Sequence, residues 1–332
     1  MRLLSIEAGV RRHEFISLVG SAAAWPLVAH AELGRKRIGF LSAYPADAGQ
    51  ALVKCFTDGL ADLGWREGQN ITVDYRWVGS RPEMFATYAA ELVALKPDLI
   101  ASNSTPAAQA LQMTTAEIPI VFMSVSDPVA SGIVATLSRP QANLTGVANY
   151  LSATAGKLLE FFKTANPGIK RVVVLCDHAN PGKLLQVKEL ETAASILGVA
   201  IEAPEVRTSE DITRVFSRLS AADRVGLVAL IDGVTNSNRS LIIDLAAKGR
   251  IPTAFDARTF VDAGGLMSYG LNLCGHFKRA ASYADRILRG KKPFELPIEL
   301  PTTFELVINL KTARALGVDL AAMLNLADDV IE

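Results

Sequence analysis

From Arg37 onward, short apolar runs alternate with segments whose apolar residues recur at helical spacing, and the series runs through twice. "RIGFLSA", "NITVDYRWV", "DLIASNS" and "IPIVFMSVSD" read as strands, with helices predicted over 48–65, 82–96 and 105–115 between them. After residue 169 the rhythm restarts: "KRVVVLCD", "VAIEAPEV", "VGLVALID", "IPTAFD" and "GGLMSYG" read as strands, and 181–198, 209–220 and 236–249 as helices. Strands separated by helices pair in parallel, because a parallel neighbour is reached only through a crossover. At 332 residues the chain exceeds what one core usually covers. The expectation is α/β: two Rossmann-like parallel-sheet lobes, alike in architecture and without a residue-by-residue repeat.

The stretch ahead of this pattern has another character. Arg11 and Arg12 precede an uncharged apolar run, Phe15 to Ala29, and then Ala29-His30-Ala31. This is the layout of a secretory leader, so residues 1–31 are expected to be a cleaved signal peptide and the mature protein periplasmic. His13 and Glu14 separate the arginine pair from Phe15, one residue more than a twin-arginine signal has, which leaves the export route open. Lysines plus arginines equal the acids at 34 each. Without Arg2, Arg11, Arg12, Glu7 and Glu14 of the leader the balance becomes 31 against 32. That balance offers no basic face and no nucleic-acid partner. The three cysteines, Cys55, Cys176 and Cys274, lie far apart, form no zinc pattern, and are read as buried free thiols.

In open parallel sheets, ligands bind outside the carboxyl ends of the strands. Those ends read Ser42-Ala43-Tyr44, Asn103-Ser104-Thr105 and Ser124 to Asp127 in the first half. In the second half they read Asp177-His178, Asp232-Gly233 and Asp256. The first set is hydroxyl-rich and the second acidic. Thr105, read as an N-cap with Pro106 in the first turn, opens a helix whose free N–H groups suit a carboxylate. Asp232 or Asp256 would meet an ammonium or hydroxyl across a cleft, with Asp177 beside them. Tyr44, Tyr150 and Tyr269 would serve as aromatic walls. Each residue also has a plainer duty: Thr105 as a cap, Asp127 before Pro128 as a turn starter, Asp177 and Asp232 as helix caps, the tyrosines as packing.

Catalysis finds little support. His178 and His276 are the histidines left after the leader, far apart and without a serine or cysteine partner. "GFLSAYPADAG" is neither GxGxxG nor a P-loop, and no GxSxG elbow occurs. No cofactor or metal is expected. A hydrolase on the same scaffold and a ligand-sensing module for a membrane receptor remain the alternative readings.

Taken in order, "EFISLVGSAAAWPL", "RIGFLSA", "DGLADLGWREGQNITVDYRW", "AAELVALKPDLI", "IPIVFMSVSDPVASGIVATLSRPQANLTGV" and "FELVINLKTARALG" resemble one family. It is the substrate-binding protein family of ABC transporters, of the tryptophan or aromatic amino-acid type. The resemblance implies a type I periplasmic-binding-protein fold, with two lobes, three hinge crossings and a ligand in the cleft. It further implies a monomer without catalytic residues that hands a small organic acid or amino acid, aromatic ones included, to a permease and ATPase. Carried onto this chain, it supports Asn103, Ser104, Thr105, Ser124 and Ser126 as first-lobe contacts. It puts crossings near Asn149–Tyr150, Asp256–Ala257 and Tyr269–Leu271. Lobe 1 would then be 32–150 plus 268–292, and lobe 2 151–267 plus 293–332. Where many relatives have Asn-Pro after the second-lobe strand, this chain has Asp177-His178-Ala179-Asn180-Pro181, so ligand specificity is not carried over.

Overall fold

The computed structural model describes residues 35–140, 143–149 and 152–332. The expected leader and Tyr150 lie outside the described residues. The first series comprises β1 (Lys36–Ser42), α1 (Ala46–Asp62), β2 (Ile71–Trp77), α2 (Met84–Ala94), β3 (Leu99–Asn103), α3 (Thr105–Thr114), β4 (Ile120–Ser126) and β5 (Leu144–Asn149). The second opens with α4 (Ser152–Ala165), β6 (Arg171–Leu175), α5 (Pro181–Leu197), β7 (Ala200–Glu202), α6 (Ser209–Phe216) and β8 (Val225–Ala229). It continues through α7 (Gly233–Ser237), α8 (Arg239–Gly249), β9 (Thr253–Phe255), α9 (Arg258–Asp262) and β10 (Met267–Leu271). Then follow α10 (Leu273–Leu288), β11 (Phe304–Asn309), α11 (Leu310–Leu316) and β12 (Asp329–Ile331).

Two sheets result, ordered β2-β1-β3-β4-β5 and β12-β11-β10-β9-β8-β6-β7. Pairing in the first is parallel throughout. In the second, β11 runs antiparallel to β10, so that sheet is mixed where a parallel one was expected. The reason lies in the connection: β11 enters after a long excursion to the other sheet and needs no right-handed crossover. Strands β3 and β4 are buried at every residue, as strands covered by helices on both faces must be. Helices α2 and α3 cover one face of the first sheet through Leu92, Ala108 and Leu111. Helices α1 and α10 cover the other through Phe56, Leu60, Phe277 and Ala281. In the second sheet, α4 and α5 pack Leu158, Phe162 and Leu190 on Val172, Val174 and Val228.

Helix α10 follows β10 in sequence yet packs on α1, where Cys55 and Cys274 form a disulfide with Cα atoms 5.3 Å apart. This corrects the reading of two of the three thiols. Two helix faces whose cysteines lie 219 residues apart meet only through tertiary packing. Cys176 remains a free, buried cysteine. Trp65, 2% exposed, adds a bond from Nε1 to Asp285 of α10 at 2.8 Å. The chain then lies along β5: Thr145 Oγ1 donates to the Leu296 carbonyl, and Glu299 N to Gly146 O.

These pairings place the three passages between sheets after Asn149, at Asn272, and between Glu299 and Phe304. The crossing expected near Asp256–Ala257 is therefore displaced, while the one expected near Tyr269–Leu271 falls at the next residue, Asn272. Asp256 joins β9 to α9, and Tyr269 is paired inside the second sheet. Segment 268–271 belongs with the second sheet and 296–299 with the first. The apolar spacing of these segments says that they are strand or edge, not which sheet takes them.

Candidate functional site

The carboxyl ends of both sheets face one cavity of about 20 Å³, lined from both lobes. Tyr44, Ser104, Thr105, Ser124, Ser126 and Asn149 come from the first sheet's edge. Asn180, Lys183, Ile231 and Asp232 come from the second, and Leu273 from the start of α10. Two larger hollows, about 540 and 500 Å³, lie at the opposite edge of the second sheet, beside the starts of β8 and β9. In an α/β sheet that is the wrong end for a ligand site.

Backbone strain shapes the first-lobe wall. Ser104, Ser124 and Asp127 have φ of 82°, 58° and 36°, a region that costs a non-glycine residue roughly 1–3 kcal/mol. At Ser124 the register of β4 against β5 slips between Met123 and Val125, a bulge that re-aims one side chain. Ser124 Oγ is buried and has no hydrogen-bond partner among the described residues, and the same holds for Asn149 Oδ1. Ser104, not Thr105, is the N-cap of α3, accepting from Ala107 N at 3.4 Å. Thr105 is the first helical residue, and its hydroxyl accepts from Ser126 N at 3.2 Å. Two residues expected in the site instead support it. Asn103 Oδ1 accepts from Ala43 N at 2.7 Å, and Ser42 Oγ bonds the Tyr44 backbone.

On the second-lobe wall, Asp232 is 2% exposed and caps α7. Its Oδ2 accepts from Asp177 N at 2.7 Å and its Oδ1 from Thr235 N at 2.8 Å. Burial pushes its carboxyl up to about 6 against the pull of those N–H groups. Burial, with the nearby carboxylates of Asp256 and Asp232, also pushes the Tyr44 phenol up. Asp256 reaches the cavity through Lys183, whose Nζ lies 3.0 Å from Asp256 Oδ2; the two side chains are 4% and 9% exposed.

The remaining expected residues fall elsewhere. Asp127 accepts from Ala130 N and Asp177 from Ala179 N, the plainer turn duties. Tyr269 packs edge-on against Phe161 with ring centroids 5.1 Å apart, on the apolar face of the second sheet. The register of β10 against β11, which the sequence did not reveal, turns it from the cleft. Asn149, Asn180 and Lys183 were not foreseen. One signal for Lys183 was present: a lysine three residues after a cap and Pro181 sits at the positive end of a helix dipole, where cations are disfavoured.

The lobes approach closely at two glycines. A Cβ on Gly182 would lie 2.7 Å from Ser126 Cβ and 2.8 Å from Thr105 Oγ1. One on Gly233 would lie 2.7 Å from the Gly79 carbonyl and 2.9 Å from that of Ala43. A side chain at either position would hold the edges apart.

Comparison with known proteins gives the fold its context. The chain is 29% identical over 263 residues to the Tyrosine-binding protein of Clostridioides difficile (strain R20291), covering 79% of this chain and 75% of that protein. Among solved structures, it matches the ABC domain in complex with L-Trp from Streptococcus pneumonia. There the TM-score is 0.81 at 25% identity, over 90% of this chain and 100% of that one. A substrate binding protein with adhesive properties from Clostridium difficile, in a ligand-free, open structure, matches at TM-score 0.63 and 27% identity, over 89% and 99%. The two α/β lobes and their three connections are the type I periplasmic-binding-protein arrangement. A family model described as ABC transporter substrate binding protein covers residues 38–331, from β1 to the last strand. The chain therefore belongs to the ABC transporter substrate-binding protein family.

Proposed function

We propose that this chain captures a small carboxylate-bearing solute between its lobes, outside the cytoplasm, and presents it to a membrane permease driven by an ATPase. The observation that carries the reading is the pair of buried, unpartnered polar atoms, Ser124 Oγ and Asn149 Oδ1, beside the start of α3. Buried polar groups are paired as a rule, so an unpaired pair lining a cavity marks a place for a ligand's atoms. Ser104, Thr105, Ser124 and Ser126 offer hydroxyls at a helix start, the arrangement that holds a carboxylate. They would form the first-lobe half of the site, with Tyr44, Asn149, Asn180, Lys183 and Asp232 completing it.

The room available is about 20 Å³, near that of one water. Any solute must therefore enter with the lobes parted, and closure must be favoured by contacts made only in the closed form. The higher likeness to the tryptophan complex than to the open structure supports reading the lobes here as drawn together. The Cys55–Cys274 disulfide supports an oxidising compartment, and so an exported protein. The chain binds and releases its solute without turnover. Relatives named for tyrosine and tryptophan make aromatic carboxylates the first compounds to try. A calorimetric screen of aromatic amino acids, aromatic acids and aliphatic amino acids tests the reading. No response to any carboxylate would overturn it.

A further inference from the structure

Lys183 is a residue that α5 would be more stable without. It stands third after the Asn180 cap, at the positive end of a 17-residue helix. At 4% exposure its ammonium is stripped of water. Two acceptors hold it, Asp256 Oδ2 and Gln186 Oε1, each at 3.0 Å. All three residues belong to the second lobe, so the cluster persists however far the lobes are parted. Lys183 nevertheless also lines the cavity. An ammonium carries three donors, and among the described residues two of these are taken.

The anions that an incoming ammonium would need are engaged on this same wall. Asp256 receives Lys183 on one oxygen and Ile231 N, at 2.6 Å, on the other. Asp232 is the one carboxylate directly lining the cavity among the described residues, and both its oxygens hold backbone N–H groups. A ligand cation would sit beside the Lys183 ammonium, with Asp256 already ion-paired to that lysine and both Asp232 oxygens already accepting backbone N–H groups. A carboxylate would meet the Lys183 ammonium on one side and the Thr105 and Ser124 hydroxyls on the other. A neutral hydroxyl would donate to Asn149 Oδ1, the buried acceptor without a partner among the described residues, at no electrostatic cost.

We infer that Lys183 takes the place of a ligand ammonium beside Asp256 and makes the site selective for carboxylates that carry a hydroxyl group where an amino acid carries its amine. This rests on the carboxylate reading above and narrows it. Like-charge juxtaposition in a desolvated site predicts at least a roughly tenfold preference for the amine-free compound of a matched pair.

Titration calorimetry of the full chain with phenylalanine and phenyllactate, and with tyrosine and 4-hydroxyphenyl-lactate, tests this directly. The amine-free acids should bind at least about tenfold tighter than their amino acids. In Lys183→Met, and in Lys183→Gln should the first variant fail to fold, the freed Asp256 should accept an ammonium and the preference should shrink or reverse. Amino acids binding as tightly as their amine-free partners to the unaltered protein would overturn the role of Lys183 and leave the carboxylate reading standing. So would a preference unchanged in a folded variant. Failure of every compound in both series would overturn the reading itself, and this inference with it.

Discussion

Gly182→Ala should weaken closure without weakening the fold. The added methyl would stand 2.7 Å from Ser126 Cβ, 2.8 Å from Thr105 Oγ1 and 2.9 Å from Ser126 Oγ. Carbon atoms rest about 3.5–4.0 Å apart, so the edges must separate by roughly 1 Å. Neither neighbour can swing aside: Ser126 is 5% and Thr105 1% exposed, and the Thr105 hydroxyl is bonded to Ser126 N. Overpacking of this kind costs about 1–3 kcal/mol. Gly182 lies in the second lobe and its obstacles in the first, so the cost falls on the closed arrangement alone. Ligand affinity should drop roughly 5- to 150-fold while the melting temperature of the unliganded protein stays put. Spin labels on cysteines replacing Met113 and Ile196, exposed at 89% and 82% on α3 and α5, would report the lobe separation. The distance measured with saturating ligand should lengthen in Gly182→Ala. Gly168→Ala, whose added methyl meets nothing within 4 Å, should behave as the parent does. Unchanged affinity together with an unchanged labelled distance in Gly182→Ala would refute the argument that this contact limits closure.

Other outcomes follow from the same geometry. Replacing Cys55 and Cys274 by serine opens a 219-residue loop, so the chain-entropy estimate predicts a loss of about 5 kcal/mol, read from the denaturant midpoint. Asp256→Asn leaves the buried Lys183 ammonium without its counter-charge and should cost about 3–5 kcal/mol, and adding Lys183→Met should recover part of that loss in the same assay. Burial, and then Asp127 on the other lobe, push the Glu189 carboxyl from its usual 4.5 up to about 7. The described arrangement therefore binds a proton more tightly than a solvated glutamate does, and is favoured as pH falls through 7 and disfavoured above it. Ligand binding should be tighter at mildly acidic than at mildly alkaline pH, and Glu189→Gln should remove the upper limb of that profile.

Periodicity and strand-end chemistry were enough to locate much of the candidate site. Runs such as "IPIVFMSVSD" are apolar on both faces and so demand cover on both, which implies parallel sheets and ligand chemistry at their carboxyl ends. Tyr44, Ser104, Thr105, Ser124, Ser126 and Asp232 emerged from that rule, and the structure brings them to one cavity. The rule could not distinguish a residue facing the cleft from one facing the core. Tyr269 was misread because side-chain direction within a strand depends on register, and register is set by the partner strand. Strand β5 and helix α4 received no reading before the structure: their boundaries fall in a long segment whose small residues carry little periodic signal.

Local pattern in this chain determined most of the strands and helices, since apolar spacing is written within a few consecutive residues. Tertiary structure alone decided what is joined across distance. It set Cys55 against Cys274, sent α10 back to the first sheet, turned β11 against β10, and buried Lys183 beside Asp256. These pairings depend on which elements share a face after the chain has crossed between lobes. Residues 73 or 219 positions apart leave no mark of their contact in the spacing of their neighbours.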